Sequence, residues 1–301
     1  MDDDLTDLLA TGERAAFHGR PAAGIAPLQR AVESAHAAGQ DAEATAAVWL
    51  LGVCLAASGR YGSAMVVLEP LADAAPSDAE RRLFSSLAAA TLASVARQLG
   101  RHAEGRRLDE RALDLAADAA EARFDALLGL AADAVGLEDP TAADAAHADA
   151  ATLADGRPDW WRQRVRLDWV RAEVALLRDR PEEAASWAAS AVVLAETSGA
   201  PRHVAKGLHF PGVSLVQGGD LDEAAATLRR AATLAESLGA VPLVWPARAV
   251  LGALVAAINP AESSASLAAA RVAVRQIADD LPVRYAEDWL ARPDVAALLA
   301  D

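Results

Sequence analysis

Seven residues that enter the left-handed backbone region at low cost, Gly19, Gly59, Gly100, Gly136, Asp179, Gly219 and Asn259, recur at spacings of 36 to 43 residues along this 301-residue chain. A period near 40 in a helix-favouring sequence predicts stacked helix pairs. Residues of this type suit the hinge between two antiparallel helices. Seven positions before each hinge stands a side chain no larger than a methyl: Gly12, Gly52, Ala93, Gly129, Ala172, Gly212 and Gly252. Five positions after it come Gly24, Ala64, Gly105, Thr141, Ala184, Ala224 and Ser264, small again except in the fourth copy. Large apolar residues fill the positions between, with Leu51, Leu92, Leu128 and Leu251 before the hinge and Leu28, Leu68 and Leu228 after it. Small positions facing large ones let two helices approach closely and interlock.

The second copy reads Leu51-Gly52, Leu55, Gly59-Arg60-Tyr61, Ala64, Leu68, Leu71 and Pro76. The sixth reads Gly212, Leu215, Gly219-Asp220-Leu221, Ala224, Leu228 and Ala231. These residues resemble a tetratricopeptide (TPR) unit, and the resemblance extends over residues 5 to 280. The period exceeds the 34 residues of the commonest TPR form. It resembles the longer, degenerate units that follow the ATP-binding module in bacterial LuxR-type regulators. The tail from Trp289-Leu290-Ala291-Arg292-Pro293 to Leu299 resembles the way such arrays end. Arg171 and Pro211 depart from the pattern, standing where a leucine is expected. The resemblance implies an all-α fold, a right-handed α-solenoid of about seven antiparallel helix pairs over residues 1–282. A C-terminal capping helical segment, 283–301, would follow.

Composition supports helices. Aromatic residues make up 4% of the chain, and sustained alternation of apolar and polar side chains is absent, so strands have no support. The longest apolar stretches, Thr45 to Ala57 and Leu251 to Ile258, are too short to span a bilayer. The start Met1-Asp2-Asp3-Asp4 is acidic where a secretory leader is basic, which gives the expectation of a complete, cytoplasmic chain. Residues 1 to 150 carry 24 acidic and 12 basic side chains, the remainder 19 and 16, a surface that repels nucleic acid. Cys54, between Val53 and Leu55, reads as a small core residue.

Signatures of catalysis fail on inspection. Lys206, the one lysine, lies between Ala205 and Gly207 with no phosphate-cradling loop. Ser214 follows Gly212, but Val216 replaces the second glycine of a nucleophile elbow. His203 and His209 are six apart, on different helix faces, where a helical metal pair uses one turn. Asp3-Asp4-Leu5-Thr6-Asp7 spells the paired-aspartate motif of all-α prenyl-transferring enzymes, yet its place at the start of a helix suits capping better. The reading therefore assigns no catalytic residue, cofactor or metal.

In a TPR-like stack the first helix of each pair lines a groove, and its exposed positions fall three and six residues before the small residue and one and four after it. Those columns hold Trp49, Arg123, Asp133, Arg166, Trp169, Glu173, Leu176, Lys206 and His209. Arg123, Arg166 and Lys206 share one column, a cationic row like those with which co-chaperone arrays grip a terminal carboxylate. Trp160, Trp161, Trp169 and Trp187 cluster in the fifth copy with Arg157, Arg162, Arg164 and Arg166. Tryptophan and arginine are enriched at binding hot spots, although tryptophans at helical spacing equally serve as core filling. The expected function is a non-enzymatic scaffold binding a protein or peptide, in particular an acidic or C-terminal segment. The alternative is a ligand- or peptide-sensing module working with a bacterial transcriptional or signalling regulator. Neither nucleic acid nor membrane is an expected partner.

Overall fold

The computed structural model describes residues 4–74 and 78–300; Asp3 of the acidic start and Pro76 of the second copy lie outside the described residues. Every regular element among the described residues is a helix, as the sequence predicts. The chain divides into two compact units, Met1–Asp155 and Gly156–Asp301. The first contains α1 (Leu5–His18), α2 (Pro21–Ala38), α3 (Asp41–Ala57), α4 (Tyr61–Asp73), α5 (Ala79–Gln98), α6 (His102–Ala116), α7 (Ala120–Gly136) and α8 (Pro140–Ala154). The second contains α9 (Trp161–Leu177), α10 (Pro181–Thr197), α11 (Pro201–Gly218), α12 (Leu221–Leu238), α13 (Val241–Val255), α14 (Pro260–Asp280), α15 (Val283–Ala291) and α16 (Pro293–Ala300). Within each unit consecutive helices pack as neighbours. The odd-numbered helices also touch in a row: α1, α3, α5 and α7 in the first unit, α9, α11 and α13 in the second.

Four hinge residues adopt the left-handed conformation: Gly59 at φ 79°, Gly100 at 79°, Asp179 at 55° and Gly219 at 89°. In each case the following residue's N–H reaches the carbonyl five residues back, as Arg60 does to Leu55 at 3.0 Å and Asp220 to Leu215 at 3.0 Å. Those bonds satisfy carbonyls that a helix end leaves open. The other three hinges differ. Gly19 is extended, at φ −136°. Gly136 ends α7, and the left-handed turn falls instead on Glu138, at φ 58°. Asn259 caps α14, its side chain accepting the N–H of Glu262 at 3.2 Å. A second set absent from the sequence reading, Gly39, Gly199 and Gly239, closes the links between successive pairs with the same pattern of bonds. Left-handed glycine thus serves at both ends of a hairpin, because each helix end has the same carbonyls to satisfy.

The small and large columns meet as the sequence predicts. A Cβ on Gly12 or Gly52 would overlap Leu28 or Leu68, and one on Gly212 would lie 2.7 Å from Leu228 Cδ2. Leu28, Leu68 and Leu228 are completely buried. In the last pair Gly252 faces Leu267. Each such leucine stabilises its hairpin by about 1.5–3 kcal/mol through area removed from water. Leucine does not fill the column throughout: the residue 16 positions after the small one is Ala145, Ala188 and Ala268 in the fourth, fifth and seventh copies, and in the third it is Asp109, also completely buried.

Two further side chains act as read. Asp4 accepts the N–H of Thr6 at 3.1 Å and caps α1. Cys54 is buried. The tail forms two helices, because Arg292 turns extended ahead of Pro293. Both pack on α14. Trp289 is buried edge-on to Trp245 with centroids 5.6 Å apart, and its indole N–H donates to the Val274 carbonyl at 3.2 Å. The Arg292 guanidinium lies 4.8 Å from the Trp289 ring centre.

Candidate functional site

In the second unit α9 and α11 lie side by side, and their facing side chains form a cluster centred on His203. This imidazole, 4% exposed, stacks on Trp169 at 5.5 Å and meets Trp161 edge-on at 5.2 Å. One helical turn on, Lys206 places its Nζ 4.5 Å over the Trp169 ring, where the aromatic face attracts a cation. Gly207 leaves room for α10, since a Cβ there would stand 2.9 Å from Val192 Cγ2, while Trp169 Nε1 would be in ordinary contact at 3.4 Å.

Several cations bear on the His203 imidazole. Burial, reinforced by Arg202, Arg162, Arg166 and Lys206, holds His203 well below the usual imidazole range. Burial and Lys206 together lower His209 to about 4. Both rings are therefore neutral at neutral pH. Trp169 Nε1, His203 Nδ1 and His209 Nδ1 are buried without a hydrogen-bond partner among the described residues. An indole N–H can only donate, so Trp169 presents a desolvated donor beside several cations. A carboxylate has the chemistry to satisfy it, through charge-assisted hydrogen bonds in a partly dry setting.

The structure brings Trp169, Lys206 and the field of Arg166 together around His203, with His209 and Glu173 on the same two helices. Trp169 is 6% exposed, which corrects the expectation of an exposed groove position: His203 and Lys206 of α11 cover its ring. Leu176 is only partly exposed and packs against the same core. Trp161 and Trp187 pack partly buried on it, while Trp160 is buried, so core filling accounts for much of the aromatic cluster. The arginines stack on those rings: Arg157 lies 4.2 Å from the Trp160 centre and Arg171 4.4 Å from that of Trp187. Arg171 thus takes a leucine's place by covering an aromatic face.

In the first unit Trp49 is half-buried between Phe17 and Phe84, with centroids at 6.3 and 6.0 Å, and donates to Thr91 Oγ1 at 3.2 Å. Arg123 donates from Nη1 to the Ala117 carbonyl at 3.2 Å, at the α6–α7 link. Asp133 corrects a second expectation of exposure. It is completely buried and ion-paired to Arg97 at 3.0 Å. Sequence reasoning missed His203 as the centre of the α9–α11 cluster, because a lone histidine among apolar residues carries no periodic signal.

No family model matches the chain, and no curated protein matches it. Among solved structures, the crystal structure of a Rap protein complexed with competence and sporulation factor aligns over 98% of this chain and 80% of that one, with a TM-score of 0.63 and 12% identity. The apo form of RapI aligns over 99% and 85%, with a TM-score of 0.49 and 11% identity. The first likeness establishes a shared helical-repeat fold.

Proposed function

We propose that this chain is a non-enzymatic interaction scaffold whose α9–α11 face takes an anionic group of a partner, a side-chain or C-terminal carboxylate of a peptide segment. The observation that carries this reading is the buried, acceptorless Trp169 Nε1 beneath Lys206 and within the field of Arg162, Arg166 and Arg202. An unsatisfied buried donor costs free energy that a bound acceptor would recover. The proposed contact residues are Arg166, Trp169, Glu173, Lys206 and His209, with Trp49 and Arg123 as separate candidate contacts in the first unit. The fold likeness to a Rap protein complexed with a factor favours the narrower form of the proposal, a peptide-sensing module acting in the cytoplasm with a bacterial regulator of the LuxR or another type.

Capture of partners from native cytosol, with mass spectrometric identification, supplies the ligand. Arg166→Glu is then expected to weaken the captured segment at least tenfold, on the order of 1.4 kcal/mol, with the circular dichroism spectrum unchanged. Equal affinity for wild type and variant would contradict the assignment.

A further inference from the structure

The first unit contains a second polar cluster, far deeper than any surface network. Asp109 on α6 and Asp133 on α7 are both completely buried, and Nη1 of Arg97 on α5 bridges one oxygen of each. The other oxygen of each carboxylate has no hydrogen-bond partner among the described residues. Space for the cluster is reciprocal between α6 and α7. Gly129 of α7 stands where any Cβ would collide with Asp109, and Gly105 of α6 stands where a Cβ would lie 2.5 Å from Asp133 Oδ1. Gly136 gives His102 the same clearance, and the His102 Nδ1 lies 3.8 Å from Asp133 Oδ1.

The charge count does not close. Two carboxylates face one guanidinium where water does not reach, and like charges that close cannot both ionise without compensation. Among the described residues, the charged and titratable groups seen in contact with the pair are Arg97 from α5 and, at the start of α6, the partly exposed His102. Asp125, also buried, lies two turns before Asp133 on α7. We propose that the Arg97–Asp109–Asp133 cluster keeps one proton in the folded chain at neutral pH and that losing it on alkalinisation loosens the packing of α5, α6 and α7. Burial, the largest influence, pushes the Asp109 carboxyl well above the ordinary carboxylate range, Arg97 pulls it down and Asp133 pushes it up again.

The sign follows from linkage. A carboxyl raised on folding stabilises fully below its unfolded value, near 4, and that contribution is lost as pH rises to the folded value. His203 and His209, lowered on folding, contribute with the opposite sign below about pH 6.5. A comparison of variants removes them. The unfolding constant of wild type, divided by that of Asp109→Asn, is expected to rise about tenfold per pH unit from pH 4 upward until it levels off. Asp133→Asn leaves Asp109 and Arg97 balanced, so the same ratio against that variant is expected to show the same rise. A ratio independent of pH for either variant would overturn the proposal. Infrared spectroscopy of the folded wild type at neutral pH provides a readout free of unfolding: a protonated-carboxyl carbonyl band that Asp109→Asn abolishes. Its absence from the wild type would equally refute the stored proton.

Discussion

Arg97→Ala is expected to destabilise the chain by about 3–5 kcal/mol, the cost of leaving buried carboxylates without their partner. Asp109 and Asp133 have no exposed surface through which water could replace the guanidinium, and three helices converge on them. Against a typical stability of about 5–15 kcal/mol, such a loss lowers the melting temperature by many degrees. The triple variant Arg97→Met, Asp109→Leu, Asp133→Ala is expected to recover most of it, because an apolar replacement removes the desolvation cost along with the attraction. Chemical denaturation of the three proteins checks both statements. A single variant as stable as wild type would mean that solvent reaches the cluster.

Leu68→Ala is the second large effect, about 2–5 kcal/mol by equilibrium denaturation. Leu68 is completely buried in α4 with its methyls against Gly52 of α3, which has no side chain to swing into the gap. A glycine on the opposing wall keeps the cavity open, placing the cost in the upper part of that range. The same truncation at exposed Val66, 71% accessible on the same helix, is expected to cost less than about 0.5 kcal/mol. Equal losses at the two positions would show that the Gly52–Leu68 seam does not carry the hairpin.

The fold was legible because its spacing is mechanical: a small residue 16 positions before a leucine places the two opposite each other across a hairpin, as Gly12–Leu28, Gly52–Leu68 and Gly212–Leu228 show. The left-handed hinges were legible at Gly59, Gly100, Asp179 and Gly219, but the regular spacing alone did not decide the conformation. Gly19 is extended and Asn259 caps α14, while the short fourth copy shifts the turn from Gly136 to Glu138. The buried ion cluster was not legible: Asp109 stands in a column that holds Leu28, Leu68 and Leu228 but also Ala145, Ala188 and Ala268. Polar side chains that pair across three helices leave no periodicity of their own. The candidate face was half legible. Column positions found Arg166, Trp169 and Lys206, but the burial of Trp169 depends on His203 and Lys206 of the neighbouring helix, contacts no single-helix pattern encodes.

The most direct test is the indole N–H resonance of Trp169 in nitrogen-15-labelled protein, titrated with the captured partner segment and with the same segment carrying amides in place of its carboxylates. The carboxylate form is expected to bind more tightly and move that resonance downfield, as a donor gaining a charged acceptor does, while the amide form leaves it in place. Binding of both forms with equal affinity and an unmoved Trp169 resonance would contradict the anion-recognition face on α9 and α11.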